Sequence, residues 1–297
     1  MFRFISLLCL GLFAGQTFAA RLPVVASFSI LGDWVTQVGG DRVQVHTLIG
    51  PNQDAHAWQP SPGVAKQFAG ARLVVVNGLG FDDRVAKLAK ASGFSATVLI
   101  ASKGVATLAL DEHDSHGHGH DSVDPHAWQD ITAATIYVQN ISAALSKIDP
   151  AGAAYYQERA QAYQKKLLEL TSWSQQQFAS LSPKQRRAIV SHDAFAYFAK
   201  RFGLTLIPVQ GKSGEGQASA QLVVRLIKQI KSTQLKAVFV ENINNSGLTR
   251  QIAKETGVSL GAELYSDALS PVGGAAPDYL AFYRHNVSAF VIGMRKN

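Results

Sequence analysis

Cysteine is almost missing from this chain: one residue in 297, Cys9, near the N-terminus. Everything after it lacks disulfides, thiol nucleophiles and cysteine sulfur ligands, so a domain of this size must rely on its core. Any metal site has to be built from imidazole and oxygen. Beyond the N-terminus no apolar run approaches the roughly 20 residues that cross a bilayer, which predicts a soluble mature protein. Lysine and arginine are scattered, with no run interleaved with aromatics, which argues against nucleic acid. No H-E-x-x-H pair occurs, and Gly211-Lys212-Ser213 fails as a phosphate loop because Leu206 stands where the first glycine belongs.

The N-terminus reads as a secretory leader. Met1-Phe2-Arg3-Phe4 gives a short basic start, Ile5 to Gly15 is apolar, and Thr17-Phe18-Ala19 offers small residues at the cleavage positions. Cleavage is expected after Ala19. Ser6-Leu7-Leu8 lacks the small residue expected ahead of a lipid-modified cysteine, which argues against a lipid anchor on Cys9. Loss of Arg3 leaves 27 basic against 21 acidic residues, a moderate excess that bears on solubility and not on fold.

What the chain does have is a hexapeptide, D-x-H-A-W-Q, written twice: Asp54-Ala55-His56-Ala57-Trp58-Gln59 and Asp124-Pro125-His126-Ala127-Trp128-Gln129. The flanks do not repeat, so this is local resemblance and not a duplicated domain. Imidazole is the commonest protein ligand for transition metals near neutral pH. Two such loops, 70 residues apart, suggest a site assembled from separate parts of the fold.

Around them, β-branched runs alternate with helical patterns. Leu22 to Phe28, Val43 to Ile49, Leu73 to Val76 and Ala96 to Ile100 read as buried strands, as do Ala188 to Ser191, Leu204 to Val209, Ala237 to Val240 and Val258 to Leu264. Helix starts are expected at Ser61-Pro62, at Phe81-Asp82-Asp83, at Ser191 or Asp193, at Ser246 and at Pro277. Strands separated by helices imply parallel βαβ units. From about Ala151 to Leu181 runs one helical pattern, roughly 45 Å long. Its stripe of Tyr156, Ala160, Tyr163, Leu167 and Leu170 weakens afterwards. A coiled-coil dimer would also use such a stripe, but a rigid spine between two lobes fits better. The expected organisation is a leader (1–19), an N-terminal α/β lobe (20–150), a linking helix (151–182) and a C-terminal α/β lobe (183–297). The fold class is α/β: two similar lobes, each a mainly parallel sheet flanked by helices.

Two further residues stand at strand ends. His192, in Ile189-Val190-Ser191-His192-Asp193, closes a strand on the side where open α/β sheets bind ligands. Asp267, in Leu264-Tyr265-Ser266-Asp267-Ala268-Leu269, follows the last strand. Alone, such a histidine is more often a packing or capping residue, and such an aspartate a turn former.

G-P-N-Q-D-A-H-A-W-Q-P-S-P, D-P-H-A-W-Q-D, S-H-D-A-F-A-Y-F-A-K-R-F-G-L and Y-S-D-A-L-S follow one another in this order. Together they resemble the cluster A-I metal-specific solute-binding proteins of ABC importers, zinc-uptake branch, over nearly the whole mature chain. The resemblance implies a metal in the cleft between lobes, held by His56 and His126 from one lobe and His192 and Asp267 from the other. Some members use water or a glutamate in place of the aspartate. Manganese members usually carry glutamate where His192 stands, and zinc members histidine. Three imidazoles and one carboxylate suit tetrahedral zinc, whereas two carboxylates suit a harder ion. Zn2+ as transported ligand is therefore expected, with manganese or iron as the alternative.

Asp54, Asp124, Glu241 and the two tryptophans are candidates for orienting the ligands from behind, although Asp124 before Pro125 could equally cap a turn. Residues 112–121, Glu112 to Asp121, contain His113, His116, His118 and His120 among Asp, Ser and Gly. Such a tract cannot pack a core and resembles the family's His-rich loop, implying a low-affinity zinc collector, with a solvated loop of no special role as the plain alternative. The expected partner is an ABC membrane permease, with a periplasmic zinc chaperone as a further candidate, and the expected protein is monomeric, periplasmic and not an enzyme. A zinc hydrolase is the rival from another class; it would keep an open coordination position for water, which a four-ligand shell does not.

Overall fold

The computed structural model describes residues 20–61, 63–109, 123–211, 220–243 and 247–297. Two parallel sheets carry the architecture. The first joins β1 (Leu22–Phe28), β2 (Val43–Ile49), β3 (Leu73–Val76) and β4 (Thr97–Ile100) in the order β2-β1-β3-β4. Crossovers run through α1 (Ser29–Gly39), α2 (Val64–Phe68) and α3 (Asp83–Ala91). Val24 to Phe28 and all of β3 are buried, as expected of parallel strands covered on both faces.

The second sheet pairs β5 (Arg187–His192) with β6 (Thr205–Gln210), linked by α6 (Ala196–Phe202). Single parallel bridges, Ile189 to Val238, Val238 to Leu260 and Glu241 to Leu264, extend it. The sequence of neighbours repeats that of the first sheet, so the lobes share a topology. The runs 237–240 and 258–264, expected as strands, are reduced to these bridges. Gly261 donates to the Val238 carbonyl and Leu264 to that of Val240, so three residues advance on one side and two on the other. One surplus residue breaks the ladder as a bulge does. α7 (Ala220–Thr233) leads from β6 to the first bridged segment, and α8 (Gly247–Thr256) runs between the two.

Several helix starts depart from expectation. Asp82 precedes α3, but its carboxylate turns back to the strand ends, accepting from Ser27 Oγ (2.5 Å), Asn77 N (2.6 Å) and Gly78 N (2.9 Å). Burial pushes this carboxyl up to about 6 against those bonds. Phe195, and neither Ser191 nor Asp193, occupies the cap position of α6, which ends on left-handed Gly203. At Ser61 only the carbonyl is used, accepting from Val64 N at 3.0 Å. The final helix α9 (Tyr279–Met294) is capped by Asp278, whose side chain accepts from Ala281 N at 2.8 Å, one residue past the expected Pro277. Ser246 lies outside the described residues.

The long pattern is one helix, α5 (Ala153–Ala179), 27 residues and roughly 40 Å. It packs with α4 (Ala133–Ile148), α1 and α9, so its stripe faces its own chain and not a second copy. The stripe does not fade after Leu170; it continues through Ser174 and Phe178. Ser174 is tolerated because its hydroxyl donates back to the Leu170 carbonyl at 2.7 Å, and Phe178 stacks on Phe202 at 4.7 Å. One continuous core runs through both lobes, from Trp34 and Trp128 to Phe198 and Phe290. Trp34 of α1 packs on Tyr137 of α4 and Tyr279 of α9. Smaller clusters line the outer face of each sheet, around Val74 and around Ile189.

Adjacent leucines on α5 provide a test. Leu167 is fully buried and Leu168 is 61% exposed. Leu167→Ala is expected to cost about 2–5 kcal/mol, and Leu168→Ala less than about 0.5 kcal/mol, as read from thermal or denaturant unfolding. Equal effects would place α5 outside the core.

Candidate metal centre

Four side chains meet at the carboxyl ends of the strands. His56 follows β2, His126 precedes the short turn Ala127–Gln129 that leads to α4, His192 ends β5, and Asp267 follows the Glu241–Leu264 bridge. One ligand atom from each lies within 4.8 Å of every other. His56 Nε2 is 3.2 Å from His126 Nε2 and 3.3 Å from Asp267 Oδ2. His192 Nε2 is 3.4 Å from Asp267 Oδ2, and His126 Nε2 is 3.8 Å from Asp267 Oδ1. Ligand atoms about 2.0–2.1 Å from a tetrahedral ion lie about 3.3–3.4 Å apart, so the cluster has the dimensions of an ion cage.

Its electrostatics point the same way. Both oxygens of Asp267 are buried, and what faces them is imidazole. Burial alone would push this carboxyl up, but His126, His192 and His56 hold it well below the usual carboxylate range. Burial likewise works against charge on His192. The carboxylates of Glu241 and Asp267 outweigh it and raise the imidazole well above its ordinary value. A buried carboxylate with such partners requires positive charge, as protons or as a metal ion.

The residues expected to orient the ligands differ in what they touch. Asp124 accepts from both His126 N (2.9 Å) and His126 Nδ1 (2.8 Å), combining the turn-capping and ring-orienting roles. Glu241 lies 2.5 Å from His192 Nδ1 and accepts from His192 N at 3.1 Å. These contacts leave each Nε2 to face the centre, as in carboxylate–histidine–metal arrangements. Asp54 instead accepts from the backbone of His56 (2.8 Å) and Ala57 (3.3 Å), shaping the loop and not gripping the ring.

Trp128 and Gln129 do something that their motif did not reveal: Nε1 and Nε2 both donate to the Ser266 carbonyl, at 3.0 and 2.7 Å, and so tie down the residue before Asp267. Trp58 and Gln59, their twins, are half-buried and exposed. Phe81, not singled out from sequence, places its ring edge-on to His56 with centroids 4.8 Å apart. Among signals in the sequence, only its position next to Asp82 on a post-strand turn hinted at a role. His113, His116, His118 and His120 lie outside the described residues.

The comparisons with known proteins agree with this geometry. The family model for the periplasmic zinc-uptake complex component A, ZnuA, matches residues 24–293. The manganese-binding lipoprotein MntA of Halalkalibacterium halodurans is 30% identical over 273 residues, covering 92% of this chain and 88% of its own. The iron-binding protein YfeA of Yersinia pestis is 29% identical over 275 residues, 93% of this chain and 87% of its own. The solved structure of the periplasmic zinc-binding protein TroA from Treponema pallidum superposes with a TM-score of 0.83 at 25% identity, covering 92% of this chain and 99% of that one. Fold and family coincide over the whole two-lobed body. The chain belongs to the ZnuA family of metal-binding solute-binding proteins of ABC importers, which are not enzymes.

Proposed function

We propose that this protein captures Zn2+ outside the cytoplasm with His56, His126, His192 and Asp267 and hands it to the membrane permease of an ABC importer. The observation that carries the reading is the donor set: three imidazoles and one carboxylate in a buried centre, their ligand atoms within 4.8 Å of one another and several separations close to those around a tetrahedral ion. Such a set favours a borderline ion over the harder manganese, which accepts many oxygens. Manganese and iron remain the competing cargoes, because relatives are named for each. Since this donor set would hold zinc more tightly than manganese in any vessel, metal analysis of protein taken from its native compartment separates the two. Manganese or iron as the dominant metal there would overturn the zinc assignment.

The His-rich tract at 113–120 fits a low-affinity collector feeding the site, in a monomeric protein that a periplasmic zinc chaperone could load. Titration of metal-free protein should give one tightly bound zinc per chain. His192→Ala should abolish that tight binding, while deletion of residues 113–120 should preserve it. Unchanged affinity in His192→Ala would remove His192 from the site.

Zinc must displace a proton from His192, whose imidazole is raised above its ordinary value by Glu241 and Asp267. The sign follows: affinity is full above the raised His192 value and falls as pH drops through it, by about one decade per unit for each displaced proton. The decline is therefore expected to begin above pH 6.5. Calorimetry in buffers of different ionisation enthalpy should show proton release at pH 7; pH-independent affinity between 8 and 6 would contradict this.

Among the described residues no helix is long and apolar enough to cross a membrane. Several relatives are named lipoproteins, whereas the leader favours a free periplasmic protein cut after Ala19. Mass spectrometry of the mature protein should find Ala20 at the N-terminus; an acylated Cys9 would reverse that reading.

A further inference from the structure

The four metal-facing side chains are not held alike. The rings of His126 and His192 are each fixed at Nδ1 by a carboxylate, Asp124 at 2.8 Å and Glu241 at 2.5 Å. Asp267 follows a carbonyl held by Trp128 and Gln129. Among the described residues no carboxylate holds the His56 ring at Nδ1. Its side chain is 12% exposed where the other three are fully buried, and its loop is largely open to solvent. A cavity of about 340 Å3, several times the volume of an imidazole, lies beside it, lined by Ile49, His56, Trp58, Phe81 and Arg84.

That loop is closed across the cleft at one point. Asn52, in the left-handed conformation (φ 55°), donates its backbone N–H to Leu269 O at 2.9 Å. Its Oδ1 accepts from Asn242 Nδ2 at 2.9 Å, and the same amide group donates to Ala268 O at 3.2 Å. Asn242 adjoins Glu241, which positions His192, and Ala268 adjoins Asp267. The segments of His56 and Asp267, and the one carrying the Glu241 carboxylate behind His192, thus converge on the Asn52–Asn242 pair.

We infer that the His56 loop is the gate for metal exchange and that Asn52 and Asn242 are the positioning residues that set how fast it opens. Release of a chelated ion begins with its least constrained ligand, and His56 is that ligand. The ring needs only to swing into the adjoining cavity, which requires the loop to leave the opposite lobe. The left-handed backbone at Asn52 suits asparagine and glycine. The inference rests on His56 being a ligand, as proposed above.

The experiment is stopped-flow transfer of zinc from the loaded mature protein to excess chelator, with stoichiometry and the metal-free Tm measured in parallel. Asn52→Gly can hold the same left-handed backbone and its bond to Leu269 O while it removes the side-chain acceptor, and the backbone freedom that it adds acts in the same direction. It is expected to speed release roughly threefold to tenfold, the factor one neutral hydrogen bond carries, with one zinc per chain retained. Asn52→Asp restores the acceptor and should return the rate to the wild-type value or below. Asn242→Ala combined with Asn52→Gly should be no faster than the faster single variant, and Gln59→Ala, at the exposed end of the hexapeptide, should leave the rate unchanged. Release within twofold of wild type in Asn52→Gly, with zinc still bound one to one, overturns the gate alone. Loss of Tm with no change in rate shows a merely structural pair and overturns it too. A His56→Ala variant with wild-type affinity removes instead the reading of the site on which the gate depends.

Discussion

A fully buried carboxylate is the constraint on which this molecule is organised. Asp267 has both oxygens sealed from water and faced by three imidazoles. An uncompensated buried carboxylate would be costly enough to disrupt the core around it, so the centre must always carry balancing charge. Asp267 and Glu241 favour a proton on His192 by raising its imidazole above the ordinary value, and a bound metal ion would bring positive charge to the same place.

Around that centre the chain uses one motif for two purposes. The second D-x-H-A-W-Q is almost wholly buried, with its aspartate holding the histidine, its tryptophan and glutamine holding the opposite lobe, and their carbonyls receiving Tyr279 and Tyr283 hydroxyls. The first lies on a surface loop where its aspartate shapes the backbone, its tryptophan packs half-buried against the core and its glutamine is exposed. Identity of sequence gave a matched pair of imidazoles; difference of environment made one fixed and one accessible. A binding protein that must also release its cargo needs such inequality, because four equally clamped ligands would let go only on unfolding.

The lobes themselves are poorly suited to wide opening. Their inner faces share one apolar core through α1, α4, α5 and α9. Tyr279 N to Asp33, Leu269 N to Ser29 and Tyr197 OH to the Asp124 carbonyl stitch across it. A large rotation would expose packed aromatic surface and break these bonds together, whereas a loop movement at His56 breaks few contacts. Packed cores resist continuous deformation, so exchange is placed at the rim.

Much of this was readable from the chain alone. Leu22 to Phe28, Val43 to Ile49 and Leu73 to Val76 are β-branched runs that local composition was enough to place to the residue, although only the first and third are buried on both faces and Val43 to Ile49 is largely half-exposed. Metal-ligand chemistry was legible in part: the repeated hexapeptide pointed to His56 and His126, whereas His192 and Asp267 joined them only through the resemblance of the ordered motifs to a family, and the fold brings the four together. Tertiary structure alone decided the rest. The bulge that reduces 237–240 and 258–264 to bridges depends on a mismatch between two distant segments, and Asp82 abandons its helix because unmet strand-end donors lie nearer. Above all, sequence cannot tell two copies of a hexapeptide apart. Burial can, because it is a property of what surrounds a residue and not of the residue itself.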